Sequence, residues 1–446
     1  MTLDASTNLA TAADTGSAAP ASSSAARDKA PSRVSRAAAS LRASAILRIA
    51  ADIRELTAAG RSICNLTVGD FNPREFPAPA ELVSGIQEAL RAGETNYPPS
   101  SGLPELRDAV AAFYGRRLGL ELKAENVVIA SGARPAIYAA YRTILDPGDV
   151  VVYSTPSWNN ADYCQIAGAT PRPVVCPVGD AFLPTRAALE SPVRGARLLV
   201  LNSPLNPAGT AFDVDTLRDI CQLVVAENAT RGANERPLFL LYDQVYWMLT
   251  LGDTRHVHPS IVCPDVEPYV ITVDAISKAF AATGVRVGWA TGPADVMRHM
   301  ADFLSHVGAW APRAAQVATA GLLGDDESID TYHQSMHAAI AARLGAIHSA
   351  CGDMRAAGLP VGSLPPIATI YGSVQLELDG RLTKDGRPLH GSEDARRYLL
   401  QEAGVAIIPF QAFGVPNDGG WFRCSIGAVS LPALQSGLAR MRAAIA

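Results

Sequence analysis

Lys278 and Arg286 stand eight residues apart in the stretch 275–288, AISKAFAATGVRVG, with Gly284 and Gly288 on either side of the arginine. An apolar run, YVITV at 269–273, leads into it, so Lys278 reads as a residue at the mouth of a buried strand. A lysine stripped of water there loses part of its preference for the charged form, and its amine is freed to bond a carbonyl carbon. An arginine beside a glycine that lets the backbone come close suits a phosphate. Together the two point to covalent attachment of a phosphorylated aldehyde. A surface helix with two unrelated cations would present the same pair, so the reading depends on what the rest of the chain supplies.

Other parts of such a site stand at the ends of further apolar runs. Ser131-Gly132-Ala133-Arg134 opens a helical stretch, where unpaired backbone N–H groups and the helix dipole attract an anion. Trp158 is a ring able to stack on a flat heterocycle. Asn206, between Pro204 and Pro207, carries an amide that can donate to a phenolate oxygen. Asp243 follows LFLLY at 238–242, and a carboxylate buried there requires a cationic partner. Singly, Gly132 reads equally as a turn, Trp158 as core and Asn206 as a turn residue. One ligand uses them all. Pyridoxal phosphate has an aldehyde for Lys278, a phosphate for Arg286 and the turn at Gly132 and Ala133, and a ring face for Trp158. It also has a 3-hydroxyl for Asn206 and Tyr246 and a ring nitrogen for Asp243. No metal site is expected: His256 and His258 fall in a polar stretch flanked by Gly and Pro and read as loop histidines.

The elements that must position these residues alternate along the chain. Short β-rich runs at 64–68, 126–130, 149–153, 198–201, 237–242 and 268–273 are separated by helical stretches at 79–92, 104–117, 135–145 and 213–228. An amphipathic helix at 44–59 precedes them. Strand and helix in turn predict an α/β fold, with a mainly parallel sheet covered by helices on both faces and ligands beyond the carboxyl ends of its strands. At 446 residues two domains are expected. Residues 1–36, rich in Ala, Ser and Thr and without an aromatic, form an expected disordered leader. Asp4 and Asp14 precede its first arginine, Arg27, against a transit peptide. The net charge of -5, spread along the chain, gives no basic stripe for nucleic acid, and no apolar run approaches a membrane span. Seven scattered cysteines without a CxxC pair suit reduced thiols and a cytoplasmic protein.

From about Ile46 to the C-terminus the chain resembles the class I aminotransferases of the fold-type-I pyridoxal-phosphate enzymes, in the aspartate aminotransferase group. The resemblance rests on Tyr97-Pro98-Pro99-Ser100-Ser101-Gly102-Leu103-Pro104-Glu105-Leu106-Arg107, on Asn202-Ser203-Pro204-Leu205-Asn206-Pro207-Ala208-Gly209, on Tyr242-Asp243-Gln244-Val245-Tyr246, on Ser277-Lys278 through Gly288, and on Phe422-Arg423. It implies a homodimer with shared active sites, in which Tyr97 reaches the neighbouring subunit's phosphate and Arg423 holds the substrate α-carboxylate. Ser277 joins the cofactor contacts; Gly69, Arg134, Trp158 and Asn206 join Arg423 around the substrate. The implied domains are 71–324, which binds the cofactor, and a smaller α+β one from 37–70 and 325–446. The implied reaction moves an amino group from an L-amino acid to a 2-oxo acid, 2-oxoglutarate for instance, by a ping-pong route through a Lys278 imine.

Three departures stand out. Ala275 occupies a position where the family often has a phosphate-binding serine, Leu205 and Ala208 replace a common Asn and Thr, and a bulky Trp310 borders the expected pocket. Arg134, just after the phosphate turn, is either a selector of dicarboxylic substrates such as aspartate, glutamate or prephenate, or a cation of the first helical turn. The alternatives to dicarboxylic transamination are aromatic or other amino donors and a lyase or decarboxylase on the same lysine. A DNA-binding regulator would need a folded basic domain ahead of this fold, for which the leader is too short and too polar.

Overall fold

Short buried strands carry the chain back and forth through one main sheet. The computed structural model describes residues 33–35, 38, 39, 41 and 45–446, so the expected disordered leader lies outside the described residues except at 33–35. The described residues from 41 to 446 form one compact unit. A two-residue strand, β1 (Cys64–Asn65), precedes the seven strands of the main sheet: β2 (Val127–Ala130), β3 (Val150–Thr155), β4 (Thr170–Val175), β5 (Leu198–Asn202), β6 (Phe239–Asp243), β7 (Val270–Ala275) and β8 (Gly288–Thr291). Their order is β2-β8-β7-β6-β5-β3-β4. Only β8 runs against its neighbours, β2 and β7. Alternate residues feed two cores. Leu198, Val200, Leu241, Ile271 and Val273 pack with helices Ala133–Ile144 and Ala294–Val307. Leu199, Leu201, Leu240 and Tyr242 pack with helix Val214–Ala229 on the other face. The expected α/β architecture is what forms.

Two strands of the main sheet carry no sequence signal of their own. β4 reads TPRPVV; its prolines cannot donate to a ladder, and it is tolerated as an edge strand paired only with β3. β8 is GWAT, four residues led by a glycine. In the other direction, the run 64–68 shortens to β1, because after Leu66 the backbone turns its carbonyls toward the site described below.

The long helix Asp326–Ala356 leads to a second, antiparallel sheet. Its strands are β9 (Val361–Ser363) and β10 (Tyr371–Leu376), and, after β11 (Val405–Ala406), β12 (Ile408–Pro409) and β13 (Trp421–Ser425), in the order β12-β13-β10-β9. β11 pairs in parallel with β1.

His256 and His258 lie in a loop as expected, but the loop is folded inward. His258 bonds Thr272 Oγ1 through Nε2 (2.9 Å) and accepts from the Ser260 N–H, while His256 pairs with Gln244 Oε1 at 3.1 Å. Burial pushes both imidazoles down to about 3, so they are neutral packing groups. Gln244 belongs to a larger buried polar knot. Its amide and the Trp289 indole donate to the Tyr114 hydroxyl, which donates to Asp274 beside the Trp247 indole. That knot fixes the end of β7 from which Lys278 projects.

Candidate active site

The strand registers bring the candidate residues to one edge. Asn202 lies opposite Asp243, Asp243 opposite Val273, and Gly288 opposite both Ala275 and Ala130. Helix Ile276–Ala279 begins as β7 ends, and its one turn presents Lys278. Lys278 Nζ donates to the Gly69 carbonyl at 2.6 Å and lies about equally far from the Phe71 and Tyr246 rings, 5.9 and 6.0 Å from their centres. Asp243, at the end of β6, accepts one backbone N–H, from Val245 at 3.1 Å, and forms no ion pair among the described residues. Desolvation pushes its carboxyl up to about 6, against the pull of that N–H and of Lys278. The cationic partner that a carboxylate there requires is therefore not supplied within 4 Å by the described chain.

A cradle lies beside it. Arg286 Nη1 donates to the Thr283 carbonyl (2.8 Å) and Nη2 to the Ser131 carbonyl (2.9 Å). Gly132, with φ +92°, caps helix Ala133–Ile144. A Cβ at Gly132 would fall 2.3 Å from Arg286 Nη2, and one at Gly288 would fall 2.6 Å from the Gly132 carbonyl carbon. Both glycines are thus required for the guanidinium to lie against a helix N-terminus. Gly284, expected to help, has open space around its Cα and no such role. Ala275 is buried, its methyl side chain offers no donor and its N–H is spent on Asp274 Oδ1, whereas Ser277, also buried, has a hydroxyl with no hydrogen-bond partner among the described residues.

Across the cup, β13 carries Arg423, only 2% exposed. Its Nη1 donates to Asn206 Oδ1 (3.0 Å) and its Nη2 to the Thr67 carbonyl (2.8 Å), while Nε has no partner. No carboxylate pairs with it among the described residues. Asn206 is held from behind, its N–H donating to Asn202 Oδ1, and its own amide NH2 makes no bond within the described chain. Aromatic residues that no sequence motif marks surround this arginine. Tyr371 lies 4.5 Å and Phe413 4.9 Å, ring centre to guanidinium carbon, from Arg423. Tyr371 also bonds Tyr246, hydroxyl to hydroxyl, at 2.6 Å. Further out, the Arg134 guanidinium stacks 5.2 Å above Trp158, whose ring is 6.2 Å from Phe413. One expected member stands apart: Tyr97 is 80% exposed and its ring contact is with Trp310, at 5.2 Å.

A model of the family described as aminotransferase class I and II matches residues 61–440. The chain belongs to this family. Among relatives of this aminotransferase, the aspartate aminotransferase of Geobacillus stearothermophilus is 27% identical over 393 residues, 87% of this chain and 92% of the relative. The aspartate/prephenate aminotransferase of Thermus thermophilus is 29% identical over 365 residues, 81% of this chain and 87% of the relative. The crystal structure of the aspartate aminotransferase from Rhizobium meliloti superimposes with a TM-score of 0.84 at 26% identity, covering 93% of this chain and 98% of that one. The chain is therefore a pyridoxal-phosphate-dependent transferase of the fold-type-I class. Among its described residues, no helix is long and apolar enough to cross a membrane.

Proposed function

We propose that this aminotransferase passes the amino group of an L-amino acid to a 2-oxo acid such as 2-oxoglutarate in a ping-pong reaction, with dicarboxylic donors such as aspartate favoured. Arg423 carries the reading. A buried guanidinium with an orphaned N–H and no acid beside it is costly unless a ligand carboxylate supplies the missing charge. The names of the relatives, aspartate and aspartate/prephenate aminotransferases, support the same choice.

The residues fit pyridoxal phosphate. Arg286, the Ser277 hydroxyl and the N–H groups at Gly132 and Ala133 suit its phosphate. The free amide of Asn206 and the Tyr246 hydroxyl suit the 3-oxygen, Asp243 suits a protonated ring nitrogen, and Trp158 suits the ring face. Bound there, the cofactor supplies an aldehyde for attachment and a ring that withdraws electrons from the substrate α-carbon. Lys278 Nζ is the attachment point and the base that takes the α-proton. Arg423 grips the α-carboxylate through charge-assisted bonds, with the Gly69 backbone lining the same wall. The described residues 45–70 of the segment 37–70, with 325–446, supply β1 and the antiparallel sheet, which supports a smaller domain beside 71–324. The 80% exposure of Tyr97 supports a homodimer in which that ring is covered by, and serves, the neighbouring subunit. Seven free buried cysteines are in keeping with the cytoplasm.

Arg134 is the proposed selector of the distal carboxylate, since its guanidinium has no ion pair among the described residues. Arg134→Leu should lower kcat/KM for aspartate and glutamate by roughly 10- to 100-fold, the worth of a charged hydrogen bond of about 1.5–3 kcal/mol, and change monocarboxylic donors little. A panel of donors with 2-oxoglutarate measures this; an unchanged preference for aspartate removes Arg134 from the role. A second reading, aromatic donors, is favoured by the wall of Trp158, Phe413 and Tyr371. The same panel separates the two, because aromatic donors would then lead in the wild type.

A further inference from the structure

Tyr371, the first residue of β10, is fixed at every point. Its N–H donates to Thr369 Oγ1 (3.0 Å), and its carbonyl lies where a Cβ on Gly209 would come to 2.3 Å, so the chain can pass there only as glycine. Its ring lies under the Arg423 guanidinium and meets the Tyr246 ring edge-on, with centres 5.5 Å apart. Its hydroxyl is 2.6 Å from the Tyr246 hydroxyl and 2.8 Å from where a Cβ on Gly69 would sit. It is 2% exposed.

Two phenols that share one hydrogen bond can be ordered in two ways. If Tyr246 donates, its only proton is spent on Tyr371 and nothing is left for a ligand oxygen. If Tyr371 donates, the Tyr246 proton is free to point into the cup, and a hydroxyl that accepts a bond is a stronger donor in turn. Among the described residues the Tyr371 hydroxyl has no other hydrogen-bond partner. Burial, then the neighbouring Tyr371, holds Tyr246 well above the ordinary phenol value, so its proton stays in place.

We propose that Tyr371 is a positioning residue whose hydroxyl donates to Tyr246 and so directs the Tyr246 proton at the cofactor's 3-oxygen, while its ring supports Arg423 at the substrate carboxylate. The proposal rests on the placement of Tyr246 and Arg423 given above.

The test is a pH titration of the visible band of the cofactor-loaded protein, which reads donation to the 3-oxygen without turnover. Donation stabilises the deprotonated form, so a weaker donor moves the midpoint upward. Tyr371→Phe should raise the midpoint by about half a unit, Tyr246→Phe by about one unit, and the double variant no further than Tyr246→Phe alone. Because Phe keeps the ring beneath Arg423, KM for the amino donor should stay within about twofold in Tyr371→Phe. Phe removes a single oxygen, and thermal unfolding checks that each variant folds. An unmoved midpoint in Tyr371→Phe, or additive shifts in the double variant, overturns the proposal while leaving the site reading intact. An unmoved midpoint in Tyr246→Phe overturns the placement of Tyr246 and the proposal with it.

Discussion

Lys278→Ala should retain less than about a thousandth of the wild-type kcat, since it removes both the attachment point and a general base whose contribution alone is about 10²–10⁴-fold. No other described lysine can stand in. Lys123 precedes β2 at the opposite end of the sheet, and Lys384 is bound to Glu402 on the surface. The cofactor should nevertheless still bind, because the cradle of Arg286, Gly132 and Gly288 is built from backbone contacts that do not involve the lysine. Equilibrium dialysis together with steady-state rates separates the two effects. Turnover near the wild-type value in this variant would remove Lys278 from the chemistry.

Asp243→Asn should lower kcat by about 10³-fold, the scale of losing a preorganised charge at a reacting centre, and yet stabilise the cofactor-free chain above pH 6. The sign follows from its carboxyl being pushed up from 3.8 to about 6. A raised acid pKa means that the folded state holds the proton more tightly than the unfolded one. The carboxyl is then harmless below about 4, and its destabilising effect grows as pH rises to about 6, reaching of order 3 kcal/mol. Asparagine keeps an acceptor for the Val245 N–H and carries no charge, so its advantage should appear across that window and level off above it. Chemical denaturation of both cofactor-free proteins between pH 4 and 8 gives the comparison. A variant that is both less active and less stable at pH 8 would mean that Asp243 serves the fold. An acid kept at a cost in stability is what a functional site produces.

The division between what was legible in the sequence and what was not follows local chemistry. β5 and β6 are apolar up to their last residues, Asn202 and Asp243, and β7 is β-branched through Val273 before the turn to Lys278. Gly132 and Gly288 were legible because close backbone approach admits no other residue. β4 and β8 were not, since their pairing comes from neighbours rather than from their own residues. The inward fold of His256 and His258 depends on Gln244 and Thr272, which no local pattern ties to them. Tyr371 and Phe413 reach the site through the antiparallel sheet and the loop before β13, in segments that bear no motif. Tyr97 is legible through the resemblance alone: within the described chain its ring is exposed and meets only Trp310.

Whether Lys278 and its neighbours run amino-group transfer in two halves is decided by one spectrum. The cofactor-loaded protein is mixed with an excess of aspartate in the absence of any oxo acid, and the visible band is followed. The band should disappear in proportion to enzyme, one equivalent of 2-oxo acid should be released, and 2-oxoglutarate should restore the band. Continuous release of ammonia or carbon dioxide without an oxo acid, or a band that no amino donor alters, would contradict it.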